Sequence, residues 1–207
     1  MGVEASRHNR FLDIGGGPEW LPQSGHGEWL LHKMRNLRAV RHAGAHPENT
    51  YVVLDLNIPK PEAHTIHNEQ QNVHFVEYNL SGAHPLPFSD VSMDSIEMNH
   101  IWTPLALGSA KTLTYYTPED TSVYYNVLIE ACRVLVPGGI LSITEKEDRF
   151  LQVHSMVNGG ILKHWLNTHS ITEVTDPGRT EFTRLAIADG IKVYTLELKK
   201  ESRYQLS

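Results

Sequence analysis

A single cysteine, Cys132, among 207 residues excludes an internal disulfide framework and any cysteine-based zinc site. No apolar run approaches the roughly 18 residues that a membrane span needs. The polar residues 1–10 lack the apolar stretch of a signal peptide. Positive charge is in deficit, with 18 Lys and Arg against 24 Asp and Glu, and the net charge of −6 argues against a broadly basic nucleic-acid-binding domain. Low-complexity stretches are few and 40% of the residues are apolar, so the chain is expected to be a folded, soluble, cytoplasmic protein. Its length suits one α/β domain with a buried sheet.

Apolar runs and glycine or proline punctuation alternate in the order strand, helix, strand, helix. Residues 10–14 (RFLDI) read as a short buried strand that runs into Gly15, Gly16 and Gly17. Four further strands are predicted at 51–54 (YVVL), 73–76 (VHFV), 95–98 (SIEM) and 140–143 (ILSI). Residues 28–42 follow a helical period, with Leu30, Met34, Leu37 and Val40 on one face. A helix over 117–136 has Thr117 as its N-cap, Pro118 at its first position, and Glu119 and Asp120 at the positive dipole end. Its buried stripe is Val123, Val127, Leu128, Ala131, Val134 and Leu135, and Pro137-Gly138-Gly139 stops it. Near the end, 182–188 and 191–198 flank Asp189-Gly190, a type I′ hairpin signal. Helical crossovers imply a mostly parallel, doubly wound sheet, and the hairpin adds an antiparallel edge over 181–198.

A strand ending in consecutive glycines either turns tightly or lets the backbone approach a ligand with no Cβ in the way. In open α/β sheets the ligand lies beyond the carboxyl ends of the strands, at the topological switch point. Asp55 closes the next strand, where its carboxylate either accepts both hydroxyls of a ribose or caps a helix. A dinucleotide fingerprint requires a glycine where Trp20 stands. The Gly-Lys-Ser/Thr ending of a P-loop, a Gly-x-Ser-x-Gly elbow and a His-Glu-x-x-His zinc motif are all absent.

In order along the chain, Leu12-Asp13-Ile14-Gly15-Gly16-Gly17-Pro18, Val52-Val53-Leu54-Asp55-Leu56-Asn57, 73–80 (VHFVEYNL), Leu86-Pro87-Phe88-Ser89-Asp90 with Met93-Asp94-Ser95-Ile96, and Arg133-Val134-Leu135-Val136-Pro137-Gly138-Gly139 resemble the motifs of the class I S-adenosylmethionine-dependent methyltransferases of the type 11 kind. The resemblance spans residues 10–145 and implies one Rossmann-like domain over 1–207, with a seven-stranded sheet and helices on both faces. It further implies S-adenosylmethionine as cofactor and S-adenosylhomocysteine as product. Asp13 with Gly15, Gly16 and Gly17 would hold the methionine portion, Asp55 and Leu56 the ribose, Asn79 and Leu80 the adenine, and Asn99 the cofactor or acceptor. The family's usual aspartate is Asn79 here, and an additional glycine is replaced by Glu19. Residues 18–27 form an insert, and little precedes the first strand to cover a site, so the inserts or another chain, in a homo- or hetero-oligomer, are expected to enclose the substrate.

Methyl transfer by in-line displacement asks the protein to position the acceptor and exclude water. His100, just after the fourth strand, is the candidate base, because an unperturbed imidazole titrates near pH 6.5. Residues 99–117 form a long connection of the kind used as a lid, and Trp102, Tyr115 and Tyr116 on it are candidate acceptor contacts. His100 and Ile101 replace the prolines of an Asn-Pro-Pro-Tyr signature, which argues against amide or nucleobase amino groups as acceptors. Thirteen histidines include the spacings His64-x-x-His67 and His42-x-x-x-His46, but no cysteines or carboxylates accompany them and no metal is expected. Lys33, Arg35, Arg38 and Arg41 make the first helix basic, a docking face for RNA, an acidic protein or a membrane surface, or else a solvated face. The expected acceptor is a small molecule, with protein or RNA methylation and a catalytically silent, partner-stabilising subunit as alternatives.

Overall fold

The computed structural model describes residues 8–15, 27–55, 58–80, 85–99, 118–176 and 181–201. Seven strands form one sheet in the order β3-β2-β1-β4-β5-β7-β6. They are β1 (Arg10–Ile14), β2 (Thr50–Asp55), β3 (Val73–Glu77), β4 (Met93–Asn99), β5 (Leu135–Lys146), β6 (Leu166–Glu173) and β7 (Val193–Lys200). The pairs among β1 to β5 are parallel, and β7 runs antiparallel to both β5 and β6.

Alternation along each strand divides the apolar residues between two cores. Leu12 and Ile14 pair in register with Val52 and Leu54 on one side and with Ile96 and Met98 on the other. With Leu141, Ile143, Leu196 and Leu198 they form a band that packs on α4 (Pro118–Val134) and α5 (Glu147–Val157). The opposite face presents Tyr51, Val53 and Val73 to α1 (Gly27–Arg35), α2 (Arg38–Ala45) and α3 (Lys60–Glu69). Two short helices, α6 (Leu162–Trp165) and α7 (Glu181–Ala188), flank β6. The central strands are therefore covered on both faces, while β6 at the edge is largely exposed.

The helix expected over 28–42 is two helices. Asn36 donates from its side chain to the His32 carbonyl at 2.9 Å, and Leu37 adopts φ −57°, ψ 142°, outside the helical region, before α2 restarts at Arg38. Met34 and Val40 nevertheless reach the same core. At the other helix, Pro118 is the first residue as expected, Thr117 lies outside the described residues, and the helix ends at Val134. Leu135 already belongs to β5, paired with Met93, and a register shift follows before Ser95 meets Ile140. Val123 is only half-buried, whereas Tyr124 is among the largest fully buried side chains.

The C-terminal antiparallel pair is present, but its arms differ from those expected. Residues 181–188 are helical, and β7 pairs with β6 instead. Asp189-Gly190 ends α7: the Gly190 N–H donates to Ile187 O, the Ile191 N–H donates to Ala186 O at 2.8 Å, and Gly190 takes φ 72°. That is a Schellman cap, which uses the same left-handed glycine as a hairpin turn.

Arg133, at the end of α4, fixes the approach to β4. Its guanidinium donates to Leu86 O at 3.0 Å, Phe88 O at 2.9 Å, Asp90 Oδ1 at 2.6 Å and Glu130 Oε2 at 2.7 Å. Glu130 Oε2 in turn accepts the Leu86 N–H at 2.9 Å. The segment that resembles the family's approach to the fourth strand is thus tied to the helix preceding the fifth.

Candidate functional site

The strand order reverses between β1 and β4, which makes their carboxyl ends the topological switch point, the place where open α/β sheets bind ligands. Gly15 sits on that rim. It takes φ 73°, a conformation that costs an L-residue about 1–2 kcal/mol, and its N–H donates to Leu54 O at 2.8 Å. The chain therefore turns out of the sheet at Gly15, the first residue after β1, which is tied to the end of β2.

Asp55, half-buried, is the last residue of β2, and its carbonyl accepts the Tyr78 N–H at 2.8 Å. This bond draws the exit of β3 beside it, leaving Asn79 exposed and Leu80 buried. Asn99 ends β4, and its Oδ1 is buried with no hydrogen-bond partner among the described residues. Gly15, Asp55, Asn79, Leu80 and Asn99 thus gather at the carboxyl ends of four adjacent strands. Gly16, Gly17, Leu56, His100, Trp102, Tyr115 and Tyr116 lie outside the described residues, as does most of the two inserts.

Asp13 is buried and lies in register with Glu97 and Val53, on the face covered by α1 to α3. It lines a small cavity of about 30 Å³ with Arg38, His42, Ser95 and Glu97. There Arg38 donates to Glu97 at 2.7 Å. Burial, then the Arg38 charge, holds the His42 imidazole below its ordinary pKa.

Two buried polar residues near this rim escaped sequence reading. Glu145 is 1% exposed near the carboxyl end of β5, and the Tyr124 hydroxyl is completely buried within α4. Burial and the nearby Glu145 charge push the Tyr124 phenol well above its ordinary range, so it stays a neutral donor. The signal was available: Glu145 shares the period-two phase of Leu141 and Ile143, which places a carboxylate on a core-facing position.

The histidine spacings behave differently. His64 and His67 line an open cleft of about 390 Å³ with His74, Lys60 and Glu77. His67 Nδ1 is 2.7 Å from the Val73 carbonyl. No group of three or more His, Cys, Asp or Glu among the described residues is arranged to hold a metal. In the basic run, Arg35 pairs with Glu69, Arg38 pairs with Glu97, and Lys33 lies 5.4 Å from the centre of the Trp29 ring.

No family model and no curated protein matches the chain. Solved structures do. A 16S rRNA (adenine(1408)-N(1))-methyltransferase from Catenulisporales acidiphilia, solved with its cosubstrate SAM, superposes with TM-score 0.56 at 16% identity, over 98% of this chain and 90% of its own. A Burkholderia thailandensis 1,6-didemethyltoxoflavin-N1-methyltransferase, with its substrate and S-adenosylhomocysteine bound, gives 0.54 at 14% identity over 94% and 72%. The N-methyltransferase NodS from Bradyrhizobium japonicum WM9, with S-adenosylhomocysteine, gives 0.51 at 11% identity over 93% and 78%. The chain has the fold of the class I S-adenosylmethionine-dependent methyltransferases.

Proposed function

We propose that this chain is an S-adenosylmethionine-dependent methyltransferase whose acceptor is a small molecule. The observation that carries the reading is the rim itself: a left-handed Gly15, Asp55 closing β2 and a buried Asn99 Oδ1 converge on the switch point of a sheet that the solved methyltransferases share. These groups fit the cofactor chemically. A backbone turn without a Cβ admits close approach, a carboxylate accepts ribose hydroxyls, and a buried amide oxygen accepts an N–H.

When bound, S-adenosylmethionine supplies a methyl group on a sulfonium, which makes the transfer a single in-line displacement. In this reading Gly15–Gly17 hold the methionine portion, Asp55 with Leu56 the ribose, and Asn79 with Leu80 the adenine, while Asp13, expected beside the methionine, instead lines the small cavity against α2. Asn99 contacts the cofactor or acceptor. His100 removes the acceptor proton, and Trp102, Tyr115 and Tyr116 exclude water around it.

The test is a thermal-shift titration with S-adenosylhomocysteine, with NAD as the control ligand. At 100 times the dissociation constant, binding adds about 2.7 kcal/mol, a rise of about 5–11 °C for a chain of this length. Asp55→Ala should abolish that rise while retaining the unliganded melting transition. A well-folded protein unmoved by S-adenosylhomocysteine would instead support the silent-subunit alternative.

A further inference from the structure

Among the described residues β6 ends the sheet order, so one of its two backbone edges faces away from β7. In an antiparallel ladder, residues that bond to the neighbouring strand alternate with residues whose N–H and C=O point the other way. The Val174 N–H donates to Val193 O at 2.8 Å, which fixes the phase. Val174, Thr172 and Ser170 therefore bond towards β7, and Glu173 and Ile171 direct their backbone groups outward. The register shift between Thr168 and Ser170 leaves His169 as the inserted residue beside them.

An outward edge is a template for another strand, and proteins usually guard it with charged side chains, lysine above all, with proline, β-bulges or short length. β6 is eight residues long and contains no lysine, arginine or proline. Its irregularity at His169 lies towards one end of the strand and leaves Ile171 and Glu173 in regular pairing. Ile171 is 48% exposed, and His169 and Glu173 are exposed as well.

We propose that β6 is the interface of a symmetric homodimer, paired antiparallel with β6 of a second copy about a twofold axis at Ile171. The outward phase makes this register self-complementary. Ile171 meets Ile171 of the second copy as a hydrogen-bonded pair, covering two exposed apolar side chains. His169 of each copy meets Glu173 of the other, so the only two ionisable side chains of the strand are matched, twice, by opposite or neutral partners. The two sheets join into one.

Sedimentation equilibrium of the full chain over a roughly hundredfold concentration range tests this, because dimer mass depends on concentration. The mass should rise from 23.4 kDa towards twice that value. Glu173→Lys, an exposed substitution that leaves the fold intact, sets a lysine against each His169 and should weaken the dimer about tenfold. The double variant His169→Glu, Glu173→Lys should restore it. Ile171→Pro removes an outward N–H without breaking a bond to β7, and should also dissociate the pair. A wild-type chain that stays at monomer mass throughout overturns the proposal. So does a dimer whose dissociation constant neither Glu173→Lys nor Ile171→Pro changes, since another surface would then hold it.

Discussion

At the scale of single residues, Lys200 and Cys132 meet where α4 ends. The last carbonyls of a helix lack intrahelical partners, and a buried cation there satisfies them and the negative dipole end together. The Lys200 ammonium does so, donating to Cys132 O and Leu135 O, each at 2.6 Å. Burial holds Lys200 below its usual pKa, and burial also pushes the Cys132 thiol up to about 12 from an ordinary 9.0. Between those two thiol values the folded chain keeps a proton that the unfolded chain has lost, so this group makes stability fall as pH rises. Lys200 works in the opposite sense, and it does so in any Cys132 variant. We predict that Cys132→Ala removes the falling contribution. Between about pH 7 and pH 10 its stability relative to wild type should improve by about 1.4 kcal/mol, read from urea unfolding at each pH. An unchanged gap would mean that the thiol ionises equally in both states.

At the scale of elements, the cap of α7 is a sharp case. Gly190 at φ 72° makes one cap bond and turns the chain so that the Ile191 N–H makes the other, so Gly190→Ala should cost about 1–2 kcal/mol and Gly190→Asn less, measured by urea unfolding. The same dipeptide shows where sequence reading stopped. Asp-Gly between two apolar runs fits a hairpin as well as a helix end, and the difference lies in whether Phe182 to Ala188 finds a strand partner or a helical face. The partner of β7 was β6, whose polar, largely exposed residues carry no apolar alternation to announce a strand. The break at Asn36 and Leu37 was hidden for a related reason: Met34 and Val40 keep a helical period across it, and the interruption lies in the extended Leu37 backbone beside the Asn36 side-chain bond to His32 O. The first five strands were legible because Leu12, Val52, Ile96 and Leu141 and their neighbours sit in short β-branched or apolar runs bounded by glycine, proline or acid. At the site, Gly15, Asp55 and Asn99 were legible because each ends such a run. Tyr124 was not, because its burial depends on α4 packing against the sheet from a distant part of the chain, whereas Glu145 was readable from its period-two phase with Leu141 and Ile143.

At the scale of the whole molecule, the choice in the proposed reading between a small-molecule and an RNA acceptor turns on what the surface charge is free to do. One of the structures sharing this fold is an rRNA methyltransferase, and the sequence has a basic run in its first helical region. The fold rearranges that run. Arg35 and Arg38 are held by Glu69 and Glu97, which leaves at most two of the four cations Lys33, Arg35, Arg38 and Arg41 for phosphates, on a chain of net charge −6. Each phosphate neutralised on a single strand contributes about −0.7 to the slope of log K against log salt. Four cations would give a slope of about −2.8, and two give about −1.4. We therefore predict weak binding of a fluorescein-labelled single-stranded RNA by anisotropy, with a slope no steeper than about −1.4. A slope near −2.8 would mean that Glu69 and Glu97 release their arginines to RNA. It would also favour RNA over a small molecule as the acceptor in the proposed reading, because the free energy of breaking two ion pairs is recovered only if phosphates replace both carboxylates.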